Sequence, residues 1–159
     1  MRPELGSHLS TVDSAAVLSP RDAITALIFG YADRIDAGDL AGVAALFADA
    51  TYRSAQGGSY SGSAAVLDVL SRKVILYADG TPRTKHVTTN LVIEVDEAGL
   101  SAAARSSFVV LQATDALPLQ PIVAGSYHDR FVRQADLWRF ADRLISMDLI
   151  GNLAEHLRR

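Results

Sequence analysis

The spacing of apolar residues along the chain changes character near residue 83. Before that point, apolar residues recur every three or four positions, which predicts amphipathic helices. The first helix has a start signal, Ser19 followed by Pro20, and a glycine at its end, Gly38. The pattern as a whole predicts helices over about 20–37, 40–47 and 62–77, with a short strand over 49–54.

After residue 83 the apolar residues alternate with polar ones, which predicts strands over about 84–96, 100–114, 120–134 and 137–149. Helices followed by consecutive antiparallel strands are typical of an α+β fold. Strands of this length can curl around the three N-terminal helices and leave a cone-shaped barrel with an apolar interior suited to a small molecule. We predict one domain over residues 19–150, an N-terminal arm over 1–18 and a C-terminal tail over 151–159.

The strand over 84–96 contains a conflict in its alternation. His86, Thr88 and Asn90 share one face of a regular strand, whereas Leu91, Ile93 and Val95 share the other. Either His86 points away from the core or a β-bulge between His86 and Leu91 exchanges the faces. Bulges that re-aim a side chain are frequent beside active sites.

Composition narrows the possible functions. The chain has 159 residues, 49% of them hydrophobic, with a net charge of −3 and no cysteine. The charge gives no electrostatic case for binding nucleic acid, and the sequence contains neither a signal-peptide pattern nor a run of about 18 apolar residues. We therefore expect a cytoplasmic protein without a membrane span. The absence of cysteine and of clustered histidines and carboxylates predicts no metal site. The absence of a Gly-rich phosphate loop argues against a nucleotide site, and we expect no cofactor.

Two residues are candidates for acid–base chemistry. Of the four histidines, His8 lies in the arm and His156 in the tail, where we expect both to be solvated. His128 should lie on the opposite face of its strand from Tyr127 and Asp129. His86 lies on a strand that should line the interior. Asp36 lies in the last turn of the first helix, an unfavourable place for an acid with respect to the helix dipole. A carboxylate bound to one imidazole nitrogen would make the other a general base. The alternative is a structural histidine and an ordinary polar residue before a turn.

Other side chains are candidates for contact with a ligand. Three tyrosines on elements that should face the core could donate a hydrogen bond to a substrate oxygen, or could serve only in packing. An arginine on the last strand could bind an anionic group or lie on the outer face of the sheet. Phe108 and Val110 share a face of their strand and could line the pocket. The predicted substrate contacts, beyond His86 and Asp36, are Tyr31, Tyr52, Tyr127, Asn90, Phe108, Val110 and Arg143.

Five segments give the chain a family resemblance over roughly residues 19–151. They are Tyr31-Ala-Asp-Arg-Ile-Asp36, Leu46-Phe47-Ala-Asp49-Ala50, Thr84-Lys-His86-Val-Thr-Thr-Asn90 and Gly125-Ser-Tyr127-His-Asp129-Arg-Phe131 with the following Leu137-Trp138-Arg-Phe140. In order and spacing they resemble the SnoaL-like, scytalone-dehydratase-like branch of the nuclear transport factor 2-like superfamily. The resemblance implies a cone-shaped α+β barrel and a catalytic Asp36–His86 dyad. With Asp36 as its partner, His86 should face the interior, so we expect a β-bulge between His86 and Leu91. It also implies that Tyr52 helps to polarise a substrate carbonyl and that Tyr31 lines the pocket.

The resemblance implies a cofactor-independent lyase, dehydratase-like, or an isomerase or cyclase. The substrate would be a small, apolar, ring-containing or polyketide-like molecule. Val110 and Tyr127 stand where scytalone dehydratase has a second histidine and an asparagine, which implies related chemistry on a different substrate. One alternative is a non-catalytic ligand-binding or structural module, like the β subunits of ring-hydroxylating dioxygenases. Another is an enzyme that uses a carboxylate base, like ketosteroid isomerase. The segment Phe108-Val109-Val110-Leu111 is apolar on both faces, which predicts a homodimer or higher oligomer.

Overall fold

A computed structural model describes residues 18–158, so the predicted arm lies almost wholly outside the described residues. Within this range the structure has three helices: α1 (Pro20–Asp36), α2 (Leu40–Ala45) and α3 (Gly62–Lys73). Six strands accompany them: β1 (Thr51–Ser54), β2 (Ser59–Ser61), β3 (Thr84–Val95), β4 (Ser101–Gln112), β5 (Gln120–Gln134) and β6 (Leu137–Ile150). None of the helices in this part of the chain is long and apolar enough to cross a membrane.

The strands form one mixed sheet in the order β2-β1-β6-β5-β4-β3. Strands β3 to β6 are joined by consecutive antiparallel pairings, and only β1 runs parallel to its neighbour β6. The sheet is curved, and helix α1 packs against β3 and β6 on one of its faces. The predicted α+β class, with a curved, mostly antiparallel sheet around three helices, is confirmed.

Helix α1 brings an acid to the edge of the core. Its N-terminus is capped by Ser19, whose Oγ accepts a hydrogen bond from the backbone N–H of Asp22 at 3.1 Å. The helix ends just before Gly38, which has a φ of 76°, and a Cβ at this position would collide with the carbonyl oxygen of Gly80. The helix therefore stops where Asp36 borders the buried stripe formed by Ile24, Ile28, Tyr31, Ala32 and Ile35.

The predicted bulge in β3 is present. The pairing of β3 with β4 shifts register between Thr89 and Val92, and Asn90 adopts a left-handed φ of 53°. Thr84 and His86 point to the helices before the bulge, and Leu91, Ile93 and Val95 do so after it. The bulge thus lets one strand supply both a polar site and an apolar core.

The structure differs from the sequence-based prediction at α3 and at the C-terminus. The third helix ends at Lys73 rather than near Tyr77, because Val74 becomes extended and forms a β-bridge with Leu157. The short strand β2 lies where only a turn was predicted. The C-terminal segment 151–158 therefore packs on the domain, and the expectation of a solvated His156 is wrong, because this residue is buried.

Candidate active site

Asp36 and His86 form a close pair at the junction of α1 and β3. Asp36 Oδ1 lies 2.6 Å from His86 Nδ1, and Asp36 Oδ2 accepts a hydrogen bond from the backbone N–H of His86 at 2.8 Å. The hydroxyl of Thr84 donates a third hydrogen bond to Asp36 Oδ1 at 2.8 Å. The exposed fraction is only 7% for the His86 side chain and 10% for that of Asp36. The carboxylate therefore fixes the orientation of the imidazole.

The electrostatics of the pair favour an ionised aspartate. Burial disfavours the charged carboxylate, but the hydrogen bonds and charge of His86 and the hydrogen bond from Thr84 outweigh it. The pKa of Asp36 is consequently lower than its ordinary value. An ionised Asp36 requires a proton on His86 Nδ1, which leaves the lone pair on Nε2. This nitrogen is the one available to take a proton from a bound molecule.

His86 lies in the wall of a cavity of about 370 Å³ between the helices and the sheet. The cavity is large enough for a small ring-containing molecule. Most of its wall is apolar. The predicted site residues that line it are His86, Tyr31, Tyr52, Tyr127, Phe108 and Val110.

Three tyrosines form a cluster in this wall. The hydroxyls of Tyr31 and Tyr52 are hydrogen-bonded at 3.1 Å, and the rings of Tyr127 and Phe108 stack with centroids 4.4 Å apart. Burial raises the pKa of Tyr31 above its ordinary value and raises those of Tyr52 and Tyr127 well above it. The three phenols therefore remain neutral hydrogen-bond donors at neutral pH.

Arg143 is placed differently from the expectation of an anion-binding residue. Its guanidinium is fully buried and makes a bidentate ion pair with Asp129, at 2.8 and 2.7 Å. It also lies over the rings of Tyr31 and Tyr127, at 4.3 and 4.1 Å from their centroids. It is not part of the cavity wall. Its charge is already matched by Asp129, so Arg143 supports the tyrosine cluster from behind.

Asn90 is a second departure from the sequence-based prediction. The regular alternation placed it on the face of His86, but the bulge begins at this residue and turns its side chain away. Asn90 is exposed and does not line the cavity. The same bulge that directs His86 into the cavity therefore removes Asn90 from the site.

Comparisons with known proteins identify the family. A family model described as the SnoaL-like domain matches residues 16–144. The chain belongs to the SnoaL-like family. No curated protein matches it.

Solved structures agree with the SnoaL-like assignment. Rv3472 from Mycobacterium tuberculosis, a protein of unknown function solved as an Asp-to-Asn variant, is 32% identical, with a TM-score of 0.66 over 80% of this chain and 71% of its own. A nuclear transport factor 2-like protein with a cystatin-like fold from Novosphingobium aromaticivorans is 21% identical, with a TM-score of 0.68 over 86% of each chain. A candidate scytalone dehydratase from the same organism is 24% identical, with a TM-score of 0.64 over 80% of this chain and 83% of its own. At their lower identity the last two show the fold alone.

Sequence reasoning missed two polar residues of this SnoaL-like site. Asp129 was not predicted as a site residue, although it shares the inward face of β5 with Tyr127 and is buried against Arg143. His156 lies in the cavity wall beside His86. Its only signal in the sequence is the pair Leu153 and Leu157, whose spacing is that of a segment packed on one side. Within residues 18–158, no three His, Asp or Glu side chains come together as metal ligands.

Proposed function

We propose that this protein is a cofactor-independent lyase, dehydratase-like, or an isomerase or cyclase. His86 Nε2 removes a proton from a carbon next to a carbonyl or a leaving group. Asp36 holds the imidazole in the required tautomer and stabilises the imidazolium that forms. The observation that carries the proposal is the 2.6 Å contact between Asp36 and His86 beside an apolar cavity. A positioned general base contributes roughly 10²- to 10⁴-fold to a rate.

Tyr52 supplies the matching acid side of the site. Its neutral hydroxyl, hydrogen-bonded to that of Tyr31, can donate to the oxygen on which negative charge develops when the proton leaves. Tyr127 is a second possible donor from the same wall. The apolar remainder of the wall, including Phe108 and Val110, suits a ring-containing or polyketide-like substrate that carries few polar groups.

Exchange of carbon-bound hydrogen tests the base without knowledge of the natural substrate. In D₂O, the protein should accelerate the incorporation of deuterium next to the carbonyl of a bicyclic ketone such as 2-tetralone. Proton NMR measures this incorporation. His86→Gln should lose this acceleration by about 10²-fold or more. Tyr52→Phe should lose about 10²-fold if its hydroxyl stabilises the enolate oxygen.

His128→Gln is the matched control, because His128 is an exposed histidine on β5 that faces away from the cavity. This variant should keep the full rate of exchange. Exchange in His86→Gln that equals that of the unaltered protein would exclude His86 as the base and would favour a carboxylate base. Saturable binding of the ketone with no exchange above the His86→Gln rate would favour a ligand-binding module over an enzyme.

A further inference from the structure

The C-terminal segment brings a second imidazole to the cavity. His156 has an exposed fraction of 7%, and its ring centroid lies 6.3 Å from that of His86 with the ring planes at 64°. Both rings line the same cavity. A small molecule that contacts one ring is therefore within reach of the other.

The position of His156 is fixed by its backbone and not by its side chain. Its N–H donates to the carbonyl of Leu153 at 3.0 Å, and its carbonyl accepts from the N–H of Ile75 at 2.9 Å. The adjacent Leu157 pairs with Val74 in a β-bridge. The backbone thus holds the imidazole at the cavity wall, beside the ring of His86.

The ring of His156 carries an unmet hydrogen-bonding requirement. Its Nδ1 is buried and has no hydrogen-bond partner among the described residues. A buried polar atom without a partner costs stability, and such atoms are few in native proteins. An apolar residue would fill the same space without this cost, so a ligand that supplies the missing partner is the simplest reason for a histidine.

The state of the ring restricts what that ligand can be. Burial, followed by the neighbouring charge of His86, lowers the pKa of His156 to about 4. The ring is therefore neutral at neutral pH, with one nitrogen as a donor and the other as an acceptor. A neutral imidazole suits an uncharged hydroxyl or carbonyl group better than a carboxylate or an ammonium group. It can also polarise a substrate oxygen without giving up its own proton.

We propose that His156 is a substrate-binding residue that forms a hydrogen bond with a hydroxyl or carbonyl oxygen of the molecule on which His86 acts. The substrate is then an apolar ring system with an uncharged oxygen on the side of the C-terminal segment. This inference adds a substrate contact to the proposed function. It rests on the proposed function only in that the substrate is assigned to this cavity.

A pair of naphthalenes of similar shape provides the test. The probes are 2-naphthol, which carries one hydroxyl, and 2-methylnaphthalene, which carries none. The protein as a whole should bind 2-naphthol at least about tenfold more tightly, because the apolar analogue leaves polar groups unpaired. In protein labelled with ¹⁵N at histidine, 2-naphthol should shift the ring nitrogens of His156, and 2-methylnaphthalene should leave them close to their free positions.

Variants assign this preference to His156. His156→Phe keeps a ring but no nitrogen, and should lower the preference for 2-naphthol several-fold. His156→Asn places an amide near the position of Nδ1 and should restore part of it. His128→Gln should keep all of it. Thermal unfolding shows whether each variant is folded. If His156→Phe is unfolded, the binding preference of His156→Asn and the ¹⁵N shifts of the unaltered protein test the proposal instead.

The proposal is overturned if folded His156→Phe keeps the full preference, or if 2-naphthol leaves the His156 nitrogens unmoved. Failure of 2-naphthol to perturb any cavity resonance up to its solubility limit also contradicts it. The two proposals fail separately. His156→Phe could lose the preference for 2-naphthol while deuterium exchange proves independent of His86. That result would contradict His86 as the general base and would support His156 as a substrate-binding residue.

Discussion

Asp36 accepts three hydrogen bonds at once, from the Thr84 hydroxyl and from the backbone and ring of His86. The carboxylate therefore ties the end of α1 to the start of β3 as well as orienting the imidazole. Its lowered pKa means that this stabilisation is present above the ordinary pKa of an aspartate and is lost as the pH falls through the lower, folded-state value.

Replacement of Asp36 by asparagine should separate these two roles. We expect Asp36→Asn to lower the free energy of unfolding by about 1–3 kcal/mol, since a neutral amide satisfies the same donors poorly. Deuterium exchange should fall by about 10²-fold or more, because the amide does not enforce the required tautomer. Urea unfolding and the exchange assay measure the two effects. Asp33→Asn, on the exposed side of the same helix, should change neither.

His156 predicts an unusual dependence of stability on pH. The unfolded chain binds a proton at this residue near pH 6.5, whereas the folded chain does so only near pH 4. Between these values the unfolded state binds more protons, so stability should fall as the pH is lowered, by up to about 3 kcal/mol in all. The charged groups that face the ring are those of His86 and Asp36.

Urea unfolding at about pH 7 and about pH 5 tests this dependence. His156→Phe has no group that titrates at this position, so it should lose less stability between the two pH values than the unaltered protein does. Every other titratable group is present in both proteins, so the difference between the proteins isolates His156. Parallel pH profiles of the two proteins would mean that the imidazole is not held neutral by burial.

The ion pair of Asp129 and Arg143 should be costly to break from one side. Both side chains are buried, so Asp129→Asn leaves a guanidinium without its counter-charge, which costs about 3–5 kcal/mol. The double variant with Asp129→Leu and Arg143→Met should be more stable than Asp129→Asn alone. Asp142→Asn, which breaks a more exposed pair with Arg53, should have a much smaller effect. Chemical denaturation of the three variants ranks them.

At the scale of elements, the bulge in β3 decides which side chains reach the site. Asn90 has a φ of 53°, where a β-branched residue is strained by about 1–2 kcal/mol. We expect Asn90→Val to lower the free energy of unfolding by about this amount and Asn90→Gly to leave it unchanged or raise it. Thr89→Val, next to the bulge on the exposed face, is the control. Equal stability of the valine and glycine variants at position 90 would contradict the left-handed conformation.

The sequence was most informative where contacts are local. The alternation of apolar residues predicted the four long strands to within about two residues, and its interruption after His86 predicted the bulge. The end of α3 and the burial of His156 depend on a bridge between Val74 and Leu157, 83 residues apart, which no local pattern encodes. The prediction that Asn90 lies on the face of His86 was wrong because the alternation of residues does not show at which residue a bulge begins.

At the scale of the whole molecule, the sheet presents an apolar row on the face away from the helices. Val87 on β3 pairs with Val109 on β4, Val109 pairs with Ala124 on β5, and Ala124 pairs with Leu149 on β6. Val87 is 47% exposed and Leu149 is 71% exposed. Directly paired residues lie on the same face of a sheet, so these four side chains form a continuous apolar strip. Such strips on a protein surface commonly mark protein–protein contacts.

This strip predicts a homodimer or higher oligomer that is formed through the outer face of the sheet. Sedimentation of the unaltered protein at micromolar concentration should give a mass above 17.0 kDa, the mass of one chain. Val109→Glu places a charge in the middle of the strip and should shift the protein towards the monomer, since burying an unpaired carboxylate costs several kcal/mol. Leu67→Glu, at an exposed apolar residue of α3, should leave the assembly intact. A monomeric unaltered protein, or an oligomer that tolerates Val109→Glu but not Leu67→Glu, would show that the strip is not the interface.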